Sequence, residues 1–203
     1  MARMPISNTP ERATLDDART VSRTLAGAFA DDPMMRWFLP DEATRAVRLD
    51  RYFTTIFTRH YARHGLCERT GAAASFWVAP GAQAMPDAET VQELVDVLGE
   101  QGPLFREALE GTAAHAPTEP HWYLAVLGAD PVVRGQGHGS ALLRSGLARA
   151  DAAGLPVYVD SSKASNIPVY EHFGFTVLAE AELPRGGPTL WPMRRAPRPA
   201  GGA

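Results

Sequence analysis

The segment that most restricts this chain is Arg134-Gly135-Gln136-Gly137-His138-Gly139, set between an apolar run and an amphipathic one. Residues 123–129 read as a buried strand. Residues 139–152 place Leu143, Leu147 and Ala150 on one face and read as a helix. Three alternate glycines let the backbone turn tightly and leave its amides uncovered by side chains. Amides converging at the positive end of a helix make an anion site, and Arg134 adds a full charge at its edge. The expected ligand is a phosphate or pyrophosphate. Two common nucleotide signatures do not fit. The loop is G-x-G-x-G where the dinucleotide fingerprint is G-x-G-x-x-G, and no lysine follows as it does in G-x-x-x-x-G-K-[ST].

The flanking pattern predicts a mixed α/β frame. A short strand is expected at residues 12–15, then a helix capped by Asp16 or Asp17 with Val21, Leu25, Ala28 and Phe29 on one face. Asp31-Asp32-Pro33 reads as its stop and as a solvated helix end. A second helix is expected over 41–64, closed by Gly65. Residues 66–69 and 72–79 read as a hairpin around Thr70-Gly71, and 87–98 and 103–114 as helices. After the glycine loop and its helix come a strand at 157–160, a short helix at 168–173 and strands at 175–182 and 189–193. Strand, helix, strand within some forty residues is a crossover unit, so strands 123–129 and 157–160 should be parallel neighbours.

At 203 residues with 45% hydrophobic composition, the chain suits one domain with a substantial core. The expected organisation is a flexible arm at 1–10, a single domain at 11–195 and a disordered tail at 196–203, with unfolded character from Arg194 onward. A net charge of −3 gives no global basic field, so a nucleic-acid partner is not expected. A lone Cys67, expected to be buried, excludes an internal disulfide and fits a reducing cytoplasm; no leader or membrane-spanning run is read. His60 and His64 are four apart, but Tyr61 stands where a zinc protease carries Glu; they read as an exposed helix face, with no metal expected.

Further residues extend the loop into a pattern. Ala129-Asp130-Pro131 precedes it, and Asn166-Ile167-Pro168-Val169-Tyr170-Glu171-His172-Phe173-Gly174-Phe175 follows at the distance of one helix and one strand. Arg134, Gly137 and Gly139 match the Arg/Gln-x-x-Gly-x-Gly/Ala signature, and Asn166, Tyr170 and Gly174-Phe175 a second one, of the GNAT superfamily of acyl-CoA-dependent N-acetyltransferases, which the chain resembles. From His115 through Met193 it is similar to the puromycin N-acetyltransferases and their relatives, through Glu119-Pro120, Trp122 and Leu124-Ala125 besides the two signatures. Residues 33–64, where the superfamily builds its acceptor pocket, differ from theirs, Asp32 stands in place of a Tyr and Arg134 in place of a Gln.

That resemblance implies a mixed, mostly antiparallel central sheet with a splayed parallel pair and helices on both faces. It implies acetyl-CoA as co-substrate, held by Leu127, Gly128, Ala129, Arg134, Gly135, Gln136, Gly137, His138, Gly139, Ser140 and Asn166. Amides at Leu127 and Ala129 would pair with pantetheine, and one near Leu127 would polarise the thioester carbonyl. Tyr170 is the expected general acid. Asp160 is the leading candidate for the base, at the end of its strand, with Glu119 or His121 acting through water as alternatives. The implied activity is acetyl transfer by direct attack of a primary amine on a small molecule, an aminonucleoside antibiotic such as puromycin among the candidates. A protein N-terminal or lysine acetyltransferase and a non-catalytic CoA-binding sensor are the alternatives, in a monomer or homodimer.

Overall fold

A computed structural model describes residues 7–113 and 115–198. The expected arm and tail fall outside these residues at 1–6 and 199–203.

The chain enters through β1 (Glu11–Arg12), shorter than the strand expected at 12–15. Thr14 and Asp17 cap each other instead, Thr14 N donating to Asp17 Oδ2 at 2.9 Å, and a 3-10 turn leads into α1 (Ala18–Ala28). Asp32-Pro33 both stops α1 and starts α2 (Pro33–Phe38), a helix the sequence reading left out. Asp32 Oδ1 accepts from the amides of Met34 and Met35 at 3.0 and 3.2 Å, and Pro33 has no amide to satisfy. Asp41 caps α3 (Glu42–Ile56) in the same way. α3 runs on through a π turn (Phe57–Tyr61) into α4 (Ala62–His64). His60, within this turn, is 1% exposed, with Nε2 3.1 Å from the Ala84 carbonyl oxygen. The exposed histidine face expected there is thus corrected: the extra residue of the turn carries His60 inward.

β2 (Leu66–Arg69) and β3 (Ala73–Val78) form the expected hairpin, and Cys67 is buried within it. Helices α5 (Ala88–Leu98) and α6 (Gly102–Ala113) follow, then β4 (Trp122–Ala129), α7 (His138–Ala152), β5 (Val157–Ser161) and α8 (Ile167–His172). The strand expected at 175–182 is two fragments, β6 (Thr176–Val177) and β7 (Ala181–Glu182), both antiparallel to β8 (Thr189–Arg195). Leu178, between them, faces Pro192, which has no amide to give, and the ladder changes register there. β8 outlasts its expected end because Arg195 is buried, with its guanidinium on Asp151 Oδ1 and Oδ2 at 2.7 and 2.9 Å. Arg194 and Arg195 therefore belong to the sheet.

The sheet order is β1-β2-β3-β4-β5-β8-β6, with β7 also on β8, and every described pairing is antiparallel except β4 with β5. One face carries a core of Leu25, Phe38, Leu49, Phe53, Phe57 and Phe76 beneath the N-terminal helices. The other carries Trp77, Leu124, Leu143, Leu147, Val157 and Val159 beneath α7 and α8. The architecture is the mixed, mostly antiparallel α/β fold expected, with one parallel pair and helices on both faces.

Candidate active site

Among the described residues, β4 and β5 pair only at Trp122↔Val157 and Tyr123↔Tyr158, and from Leu124 onward β4 has no strand on that side. The opening begins at a bulge. Phe76 faces Val126 while Trp77 faces Leu124, so Ala125 is one residue too many, and such a bulge bends its strand. The register fixes which amides face the gap. Asp130 N donates to the Ala72 carbonyl at 2.9 Å, and hydrogen bonding alternates along an antiparallel pair. The amides of Val126 and Gly128 therefore point to β3, and those of Leu127 and Ala129 into the splay. Gly128 has a packing duty as well: a Cβ there would sit 2.9 Å from Ala28, Leu25 and Phe29 of the overlying chain.

The glycine loop stands at the wide end of the splay. Gly135 and Gly137 have φ of +81° and +85°, which side chains strain to adopt. Gly137 is the N-cap of α7 and offers no side chain, so the first amides of that helix lack the partner a cap would supply. A Cβ on Gly135 or Gly139 would meet no atom within 4 Å, so these backbone faces are open to a ligand. Gln136 differs: its amide is used inside the turn, donating to the Val133 carbonyl at 3.1 Å. The ring of His138 turns away as well, buried with Nδ1 3.0 Å from Thr70 Oγ1, so that residue can offer a ligand only its main chain.

Splay and loop open into one cavity of about 800 Å³. It is lined by Leu127, Gly128, Ala129, Arg134, Gly135 and Gly137, and also by Asp160, Asn166 and Tyr170. His138, Gly139 and Ser140 also line it; Gln136 does not. Asn166 precedes α8 without making a side-chain cap bond, which leaves its amide group for a ligand. Tyr170 lies among the residues beneath α7 and α8, its ring 5.5 Å from that of Phe175, and burial pushes its hydroxyl up to about 12. Asp160 comes from the other face. Tyr158 pairs with Tyr123 across β4 and β5, their rings 5.9 Å apart, and its hydroxyl donates to Asp160 Oδ1 at 2.7 Å. Burial raises the Asp160 carboxyl to about 6, against the smaller lowering effect of that hydrogen bond. A proton-holding phenol and a carboxylate basic near neutrality thus enter one cavity from opposite faces of the sheet.

The profile of the acetyltransferase (GNAT) domain matches residues 101–196. Over that span, just under half of the chain, the sequence is similar to a GNAT acetyltransferase domain. The protein is an enzyme of the N-acetyltransferase class, and GNAT acetyltransferases use acetyl-CoA as co-substrate. An uncharacterised N-acetyltransferase of Schizosaccharomyces pombe is 28% identical over 193 residues, covering 86% of this chain and 77% of its own length. A solved structure from Corynebacterium glutamicum, described as histone acetyltransferase HPA2 and related acetyltransferase, has a TM-score of 0.74 at 24% identity, covering 96% of this chain and 98% of that one. A polyamine N-acetyltransferase of Drosophila melanogaster has a TM-score of 0.58 at 14% identity, covering 93% of this chain and 99% of that one. At these identities the solved structures share the fold.

The sequence reading missed three features of the site. Asp32 is 2% exposed where a solvated helix end was expected; its Oδ2 accepts from the Ser162 hydroxyl, tying α2 to the loop after β5. No local pattern shows that pairing, because the partners are 130 residues apart. Tyr158 was overlooked although its two-residue offset from Asp160 puts both on one strand face. Lys163 also lines the cavity. Glu119, an alternative base, is held by Arg194 at 2.7 Å, and neither it nor His121 lines the cavity. Among the described residues, no helix is long and apolar enough to cross a membrane.

Proposed function

We propose that this protein transfers an acetyl group from acetyl-CoA to the primary amine of a small molecule, with an aminonucleoside such as puromycin among the acceptors, by direct attack. The observation that carries this is the convergence on one cavity of the Leu127 and Ala129 amides, the uncapped start of α7, Asp160 and Tyr170. The groups fit the co-substrate they would hold. The open backbone at Gly135 and Gly139 suits a pyrophosphate, with Arg134 beside it. The Ala129 amide suits an amide carbonyl of pantetheine as an added strand would, which leaves the Leu127 amide for the thioester carbonyl.

Bound acetyl-CoA supplies an activated thioester. Asp160 takes a proton from the acceptor ammonium, and the neutral amine forms its bond to the acetyl carbon. The Leu127 amide stabilises the oxygen of that carbon as charge gathers on it. As the carbon–sulfur bond breaks, Tyr170 gives its proton to the departing sulfur; the nitrogen, positive after the attack, loses its second proton to solvent, and solvent reprotonates Tyr170. Asn166 orients the co-substrate. Arg134 and the loop 134–140 hold its phosphates.

Release of CoA thiol from acetyl-CoA with a panel of amines, puromycin included, and with peptide amines tests the reading. Turnover with small amines supports it. Turnover confined to peptides makes the protein a protein acetyltransferase, and acetyl-CoA binding without turnover on any amine makes it a sensor.

A further inference from the structure

The cavity does not end at Asp160. It continues under the N-terminal helices, where its wall is built by Phe29, Met35, Phe38, Phe53 and Phe105. These side chains brace one another, with Phe29 5.1 Å from Phe53 and Phe38 5.5 Å from Phe105 between ring centroids. Such a wall accepts an aryl or branched apolar body; to a cation it offers ring faces but no counter-charge.

The carboxylates are distributed with equal asymmetry. Only Asp32 and Asp160 line the cavity among the described residues. Both oxygens of Asp32 are engaged, Oδ1 by two amides of α2 and Oδ2 by the Ser162 hydroxyl. Asp160 is engaged on one side, by the Tyr158 hydroxyl on Oδ1, and no hydrogen bond from the described residues reaches its Oδ2. Tyr52, Tyr61 and Tyr123 add hydroxyls to the wall, and burial keeps all three protonated. They can bond a neutral polar group but cannot balance a second ammonium.

On the proposed acetyl-transfer reading, we infer that the acceptor is a monoamine with an aryl or bulky apolar body: its ammonium meets Asp160 Oδ2 and its body fills the phenylalanine-walled end. Diamines and polyamines are poor acceptors, because their distal ammonium would lie unpaired against aromatic carbon. The Tyr158 hydroxyl, by holding Oδ1, keeps Oδ2 turned to the substrate.

Steady-state kinetics with phenethylamine, putrescine and spermidine test this, alongside calorimetric binding of each amine to the CoA-loaded protein. Phenethylamine is expected to have kcat/KM at least tenfold above both others, and to bind at least tenfold more tightly. Met85 is exposed and lines the same cavity, so Met85→Glu adds a carboxylate without disturbing the core. This variant should narrow the phenethylamine-to-putrescine ratio at least threefold. Equal or reversed preference in the unaltered protein, or an unchanged ratio in the variant, overturns the inference while leaving acetyl transfer intact. Failure to acetylate any amine overturns the acetyl-transfer reading itself and the inference with it.

Discussion

On the proposed reading, the chemistry of the site turns on one titration, that of Asp160. Its carboxyl is raised to about 6 in the folded chain by burial, against an ordinary value of 3.8. A carboxyl raised by folding favours the protonated native state, so its contribution to stability is fully present below the unfolded value and lost as pH rises through about 6. Asp160→Asn removes that loss. Its Tm should exceed that of the unaltered protein by roughly 5 °C at pH 8, corresponding to about 2 kcal/mol, and match it near pH 4. The same change should cost tenfold or more in kcat at saturating substrates and abolish the fall in rate below about pH 6. A variant with the acid limb intact would move the base elsewhere. Tyr170 differs, since burial keeps its proton in place through the whole working range. Tyr170→Phe should lower kcat tenfold or more while the Kd for CoA, by calorimetry, stays within twofold; a retained rate would remove Tyr170 from the mechanism.

Among the elements, α7 and its loop have two separable duties. The start binds. Gly137→Glu forces a side chain onto a backbone with φ of +85° and sets a carboxylate where the phosphates belong, so calorimetry should detect no CoA binding. The middle packs. A Cβ on Gly146 would lie 2.1 Å from the Trp77 indole of β3, so Gly146→Ala should destabilise the fold by about 2 kcal/mol in a urea titration. An unchanged midpoint would show that α7 and β3 separate at little cost. The legibility of the elements divides in the same way. The hairpin of β2 and β3, strand β4 and helix α7 carry their own periodicity and turn residues, and were readable. The six-residue α2 is too short for periodicity, and its Asp-Pro start doubles as the preceding helix's stop. The break between β6 and β7 depends on Pro192, which becomes their neighbour only in the sheet.

Across the whole molecule, the sheet separates two tasks. Acetyl-CoA's proposed holders lie on the C-terminal half, and the wall for the acceptor lies under helices from the N-terminal half. The Asp32–Ser162 hydrogen bond joins the halves beside the cavity. Asp32→Ala deletes that tie and the cap of α2, and should cost about 1–3 kcal/mol in unfolding free energy. The KM for the amine should rise severalfold with CoA affinity within twofold; an unaltered KM would mean the tie does not shape the acceptor side. By itself the sequence determined the glycine loop and the crossover around it, and its resemblance to the GNAT superfamily implied the co-substrate, because loop and signatures each lie in one contiguous stretch of chain. Only the tertiary structure decided the state of Asp160, the duty of Asp32 and the aromatic wall. Desolvation and pairing arise between residues far apart in the chain, and no local spacing records which of them folding will bring together or shut away from water.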